Sequence, residues 1–154
     1  MTRQISETQV RNWLDETAIR DVTCYSEEDT EFNFQVELSP LPDHVIKETG
    51  FGPIRIVGHN GFDTERARAL LRGDRRRGEL LEYVEPMLAA TPAFYTFLDE
   101  DGTSCQLRTA ETVQVEYRIY PDGACQQALM DGIMTIATSM RYVQNAVVAV
   151  AQAE

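Results

Sequence analysis

The stretch ACQQALMDGIMTIATSMRYVQNAVVAV, residues 124–150, is the part of this sequence that says most about the fold. Apolar side chains recur along it every three or four residues, at Cys125, Leu129, Ile133, Ile136, Met140, Val143, Val147 and Val150. This period predicts one long helix with a continuous apolar stripe, roughly 40 Å long at 1.5 Å per residue. Because the helix has few charged residues, we expect part of it to pack on a sheet. A second copy of the chain or another partner would cover the rest.

The segments before this helix have the two-residue period of strands. Apolar and polar residues alternate over 113–120, and the sequence Pro-Asp-Gly at 121–123 ends that strand. A further strand is predicted over Phe94–Leu98, with both faces covered at least in part. A hairpin turn at 99–102 and a return strand at 104–108 would follow it.

The N-terminal half begins with a capping box, in which Ser6 and Gln9 satisfy each other's backbone N–H groups. Helical spacing predicts a helix over 7–20, and alternation predicts strands at 22–25, 32–38 and 53–59. Helical spacing resumes over 64–90, with Asp63 as the expected N-cap. Pro86 and a glycine-containing arginine run interrupt that region, so one bent helix and two separate helices are both open.

These elements predict an α+β domain over residues 1–154. Strands in consecutive runs joined by short hairpins favour an antiparallel sheet of five to six strands with helices on one face. The expected order is α-βββ-α-ββ(β)-α. A chain of 154 residues is long enough to bury its own core, so we expect a single domain.

The charge balance excludes several function classes. The net charge is −11, from 25 acidic and 14 basic side chains, so the surface would repel a nucleic-acid backbone or an anionic membrane. Lys47 is the only lysine, an imbalance that fits either a halophilic archaeon or an arginine-rich, GC-rich genome. The N-terminal sequence has no apolar run of the kind found in signal peptides.

Three widely spaced cysteines, Cys24, Cys105 and Cys125, argue against a disulfide framework or a zinc site. We therefore expect buried, reduced thiols in a cytoplasmic protein. No catalytic residue, metal ligand or cofactor-binding motif is predicted.

The order of elements resembles the type III secretion chaperone-like fold, which also includes the YbjN-type proteins and a set of uncharacterised archaeal proteins. The resemblance is carried by the opening helix at 10–14, the strands at 32–38 and 54–57, the junction at 120–123 and the alanine- and methionine-rich terminal helix. It covers nearly the whole chain. The resemblance lies in the order of the helices and strands and in their hydrophobic pattern, and not in an invariant sequence motif.

The resemblance implies an acidic homodimer that binds an unfolded segment of another protein, or that acts as an adaptor. A non-enzymatic interaction protein is therefore our first hypothesis, with apolar helix faces and an exposed sheet edge as its binding surface. Trp13, Phe32 and Phe34 are expected in the core or the interface. The residues predicted at a partner or dimer interface are Ile133, Met134, Ile136, Met140, Val143 and Val147.

Two alternatives remain open. The first is a small-ligand sensor or enzyme that uses His59, with Arg72, Arg75, Arg76 and Arg77 as an anion clamp. The competing interpretations are a turn at 59–61 and a solvated arginine run paired with the protein's own carboxylates. The second alternative is a subunit of a larger assembly.

The acidic turns at 27–31 and 99–101 are interpreted as solvated loops.

Overall fold

A computed structural model describes residues 4–26, 28–38, 41–62 and 65–152. Within these ranges four α-helices and six strands follow one another along the chain. The elements are α1 (Glu7–Trp13), β1 (Asp21–Tyr25), β2 (Phe32–Glu37), β3 (Asp43–Lys47), β4 (Ile54–Gly61), α2 (Glu65–Arg72), α3 (Asp74–Ala90), β5 (Phe94–Leu98), β6 (Thr112–Ile119) and α4 (Gln126–Gln152).

The strands form a six-stranded antiparallel sheet in the order β1-β2-β3-β4-β6-β5. Phe34 on β2 pairs with both Cys24 on β1 and Val45 on β3, and Val45 pairs in turn with Ile56 on β4. This arrangement confirms the predicted α+β class and the antiparallel sheet. No helix in the described part of the chain is long and apolar enough to cross a membrane.

Two predictions about the N-terminal half were wrong. Strand β3 was missed, because its core-facing end positions carry Asp43 and Lys47 where the pattern requires apolar residues. The first helix ends at Trp13 and not near residue 20. It stops because the Asp15 side chain accepts hydrogen bonds from the Thr17 backbone N–H and hydroxyl, which stabilises a turn.

The region 64–90 contains two helices, α2 and α3, separated at Gly73. Pro86 lies inside α3, and the helix continues to Ala90, so the proline does not restart it. The expected N-cap, Asp63, lies outside the described residues. A single bridge between Leu98 and Ser104 and a 3₁₀ turn, Leu107–Thr109, replace the predicted return strand.

Both faces of β5 are covered in part, as predicted. Thr96, Phe97 and Leu98 are half-buried, whereas Phe94 and Tyr95 at the start of the strand are 61% and 37% exposed. The prediction of buried thiols was wrong, since Cys24 and Cys125 are exposed and Cys105 is half-buried.

The chain divides into two compact units. Unit 1 comprises Met1–Gly58 and Glu116–Ala137, and unit 2 comprises His59–Val115 and Thr138–Glu154.

In unit 1, α4 approaches the sheet through Gly132. A Cβ at this glycine would lie 2.5 Å from Ile56 Cδ1 and 2.7 Å from Tyr117 Cδ1. Lys47 is fully buried, and its Nζ donates a hydrogen bond of 3.3 Å to the Ile5 carbonyl. The close backbone approach at Gly132 requires a residue without a side chain.

In unit 2, the core contains Phe62, Leu80, Val84 and Val143, which line a small apolar void. The Asn60 side chain is also buried, and its Nδ2 donates a hydrogen bond of 2.6 Å to the Met140 carbonyl. This bond satisfies a buried amide that would otherwise be costly.

Candidate functional site

The predicted interface residues on α4 divide into core and surface positions. Ile133, Ile136 and Met140 have no exposed surface and Val143 is 2% exposed, so these four belong to the core of the single chain. Met134 is 53% exposed and Val147 is half-buried, so these two remain accessible. Contact with a partner at any of the six positions stays a prediction.

The N-terminal candidates follow the same division. Phe32 and Phe34 are buried on β2, with their rings stacked at a centroid distance of 5.6 Å. Trp13 is half-buried at the end of α1, where its carbonyl accepts a hydrogen bond from Gln126 Nε2. All three contribute to folding of unit 1.

The arginine run does not form one clamp. Arg77 pairs with Asp74 at 2.7 Å, and it also donates a hydrogen bond of 3.0 Å to the Leu71 carbonyl. Arg75 pairs with Glu79 at 3.3 Å along the surface of α3. Arg76 is half-buried on the same turn. These contacts stabilise the start of α3, so they support the interpretation of a run paired with the protein's own carboxylates.

Arg72 lies elsewhere, at the end of α2, on an open cleft of about 590 Å³ in unit 2. Two arginines that the sequence interpretation missed, Arg68 and Arg108, line the same cleft, together with Glu100 and Glu111. Arg68 could have been found, because it lies one helical turn before Arg72. Arg108 could not, because a 3₁₀ turn brings it there in place of the predicted strand. We call this group the arginine cleft.

A second surface in unit 2 joins α3 and α4. Tyr83 on α3 is 56% exposed, and Val148 on α4 is 47% exposed. The hydroxyl of Tyr142 donates a hydrogen bond of 2.9 Å to the Tyr83 carbonyl and links the two helices. A groove of about 350 Å³ lies here, lined by Glu79, Glu82, Tyr83, Ala149 and Val150. We call this surface the tyrosine groove. Tyr83 was not predicted, because helical spacing in α3 singles out the core positions Leu80 and Val84 and not the exposed residue between them.

His59 is not in a turn. Residues 59–61 continue β4, so the turn interpretation was wrong. The exposed imidazole has its Nε2 2.9 Å from Gln114 Oε1 on the neighbouring strand. A side-chain amide can orient the ring, but it cannot act as the acid of a catalytic triad.

The strongest electrostatic cluster lies in unit 1. Arg55 contacts Glu48 at 2.6 Å and donates from Nε to Glu116 at 2.7 Å, and Arg118 donates to the other oxygen of Glu116. Burial alone would raise the pKa of Glu116. The hydrogen bonds and charges of the two arginines outweigh burial and hold the pKa below its ordinary value.

Asp43 has the opposite environment. It is 1% exposed, and neither carboxylate oxygen has a hydrogen-bond partner among the described residues. Burial raises the pKa of Asp43 to about 8, so the carboxyl group is protonated at neutral pH. Among the described residues, no group of three histidine, cysteine or acidic side chains is placed to hold a metal ion.

Comparison with known proteins identifies the family. The family model described as "Uncharacterized conserved protein (DUF2299)" matches residues 6–146. The chain belongs to the DUF2299 family. No curated protein matches this DUF2299 chain.

A solved structure is similar to the DUF2299 chain over nearly its whole length. It is the crystal structure of an uncharacterized protein from Methanothermobacter thermautotrophicus, with a TM-score of 0.73 and 18% sequence identity. The match covers 94% of this chain and 98% of that chain. At this identity the likeness shows a shared fold alone. The resemblance to secretion chaperones and the halophilic origin stay predictions.

Proposed function

We propose that this protein is a non-enzymatic interaction module, a chaperone- or adaptor-like homodimer that binds a segment of another protein. The observation that carries the proposal is the tyrosine groove, where the 56% exposed Tyr83 on α3 lies beside Ala149 on α4. Tyrosine is enriched at protein interfaces because it buries a large apolar ring and still satisfies its hydroxyl group. The resemblance to the secretion-chaperone-like fold supports the same function.

The rim of the groove indicates the chemistry of the bound segment. Glu82 is exposed beside Tyr83, and the half-buried Glu79 lines the groove one turn earlier on α3. The whole chain also has a net charge of −11, which attracts basic partners and repels acidic ones. An apolar segment flanked by lysine or arginine would complement this surface.

The homodimer has its own support. Met134 is 53% exposed on α4, which has very few charged residues along 27 residues. Exposed methionine next to uncharged helix surface is common where a second chain packs. The resemblance implies a dimer as well. Light scattering after size-exclusion chromatography, in low and high salt, tests this part separately, and a monomer in both conditions would overturn it.

The groove is tested by capture of the partner and then by peptide binding. Tagged protein is used to recover bound proteins from the native lysate, and overlapping peptides of the dominant partner are titrated by calorimetry. We expect the binding peptide to be apolar with basic flanks. Y83S should weaken its affinity at least tenfold, since truncating a central aromatic contact can remove much of the interface energy.

The matched control is F51S, which removes a 74% exposed aromatic side chain in unit 1 and should leave the affinity unchanged. Equal affinity of wild-type protein and Y83S would remove the groove from the proposal. Recovery of the chain alone from the lysate would count against the interaction function.

A further inference from the structure

The arginine cleft combines side chains from three short segments of unit 2. Arg68 and Arg72 come from α2, Glu100 comes from the turn after β5, and Arg108 comes from the 3₁₀ turn before β6. The carboxylate of Glu111 lies 3.5 Å from Arg68. The cleft therefore contains three guanidinium groups and two carboxylates.

Two of these guanidinium groups have no partner among the described residues. The side chains of Arg72 and Arg108 make no ion pair or hydrogen bond to another residue in the part of the chain that the structure describes. Elsewhere Arg55, Arg77 and Arg118 are all paired with carboxylates. With three arginines and two glutamates, the cleft has a local excess of positive charge in a chain that carries 25 acidic and 14 basic side chains.

The charges around these two arginines limit what can bind. Glu111 partly neutralises the charge of Arg68, so Arg72 and Arg108 are the groups that would attract an anion. The carboxylate of Glu100 would repel a second anionic group on the same ligand. A guanidinium group matches the oxygen spacing of a phosphate or a carboxylate and binds either in a bidentate manner. An extended polyanion such as RNA would meet the strongly negative surface of the rest of the chain.

We propose that the arginine cleft is a binding site for a small ligand with a single anionic group, a phosphate or a carboxylate, held by Arg72 and Arg108. Glu100 then faces the rest of the ligand and favours hydroxyl or amine donors there. This site is separate from the tyrosine groove, and neither proposal depends on the other.

The test uses inorganic phosphate and acetate as probes on the full chain. Backbone amide NMR shifts and thermal unfolding are followed at constant ionic strength, with chloride replaced stepwise by phosphate or by acetate. We expect saturable shifts confined to residues 68–72, 100 and 108–111, together with a rise in melting temperature. A larger response to phosphate identifies a phosphate site, and a larger response to acetate identifies a carboxylate site.

Charge-matched variants distinguish a site from general electrostatics. R72Q and R108Q should each weaken binding of the preferred probe at least tenfold, because each removes a charge-assisted contact. R75Q removes the same charge from a 91% exposed side chain outside the cleft and should leave the affinity unchanged. E100Q should tighten binding, because it removes a repelling carboxylate.

Three results with the anionic probes and the variants would overturn the proposal. They are an equal response to chloride and both probes, an equal loss of affinity in R72Q and R75Q, and shifts spread over the whole surface. Tighter binding of a short RNA than of either probe would also overturn it. The circular dichroism spectra of all four variants should match that of the wild-type protein, since all four side chains are exposed.

Discussion

The two units of this protein place their ionisable side chains in different environments. Unit 1 buries Asp43, Lys47 and Glu116, each at 5% exposure or less. In unit 2, Arg72 and Arg108 are exposed on the arginine cleft and have no ion-pair partner among the described residues. Buried ionisable groups affect the free energy of unfolding and its dependence on pH, whereas exposed aromatic and cationic groups affect binding. Substitutions in unit 1 should therefore change stability, and substitutions in unit 2 should change ligand or partner affinity.

Within unit 1, Asp43 and Glu116 show that partners decide the charge state of a buried carboxyl group. Both are at most 5% exposed. Glu116 accepts hydrogen bonds from two arginines and has a lowered pKa. Asp43 has no hydrogen-bond partner in the described ranges, and burial raises its pKa to about 8. The two residues should consequently give stability profiles of opposite slope in different pH ranges.

The largest expected effect is that of D43N. The pKa of Asp43 is about 8 in the folded chain, against an ordinary value of 3.8. Between pH 4 and 8 the folded chain therefore keeps a proton on Asp43 that the unfolded chain has lost. Wild-type stability should then fall with rising pH by up to about 1.4 kcal/mol per unit between pH 4 and 8. D43N should remove this slope and stabilise the protein at pH 7 by on the order of 3 kcal/mol.

Urea unfolding of wild-type and D43N protein at pH 5, 6, 7 and 8 measures the slope directly. D21N, at the exposed start of β1, is the control and should follow the wild-type profile. Parallel profiles of wild-type and D43N protein would show that Asp43 is ionised in the folded state.

The second effect concerns the free energy of unfolding when a glycine in each unit is replaced by alanine. G132A should destabilise by about 1–3 kcal/mol, because the new methyl group overlaps Ile56 and Tyr117. G78A in α3 has no atom within 4 Å of the added carbon, and should stabilise by about 0.5–1 kcal/mol through helix propensity. Thermal or urea unfolding of the two variants checks the signs. An unchanged or increased stability of G132A would mean that α4 does not approach the sheet this closely.

The third effect is that of R55Q. This change removes one of the two arginines on Glu116 and should cost about 1–2 kcal/mol at pH 7. Because folding lowers the pKa of Glu116, its ionisation stabilises the folded chain at pH values above the pKa that Glu116 has in the unfolded chain. This contribution is lost as the pH falls through the pKa of Glu116 in the folded chain. In R55Q the loss should begin at higher pH, which acid titration followed by circular dichroism detects. R75Q, on a surface pair, should change stability by less than about 0.5 kcal/mol.

Much of the fold was predictable because periodicity is a local signal. Alternation of Phe32, Phe34 and Val36 located β2, and helical spacing located α4. Strand β3 could not be found in this way, because Asp43 and Lys47 occupy core-facing positions and reverse the expected pattern. Their burial depends on neighbouring strands, which a single sequence does not show.

The candidate sites were predictable only in part. Arg72 was singled out, but its three neighbours in the arginine run form local pairs or stay on α3. The residue that joins it from outside α2, Arg108, is 36 positions away along the chain and reaches the cleft through an irregular turn. Periodicity does not predict such convergence, because it describes neighbours along one element and not residues on separate segments.

The burial of Lys47 has a practical consequence for chemical labelling. Because it is the only lysine and has no exposed surface, amine-reactive reagents find no lysine side chain on the folded protein. Cross-linking of this protein to a partner must therefore use carboxylates, or the exposed thiols of Cys24 and Cys125. Acylation of Lys47 becomes a specific reporter instead: its rate measures how often unit 1 opens, at one known position in the chain.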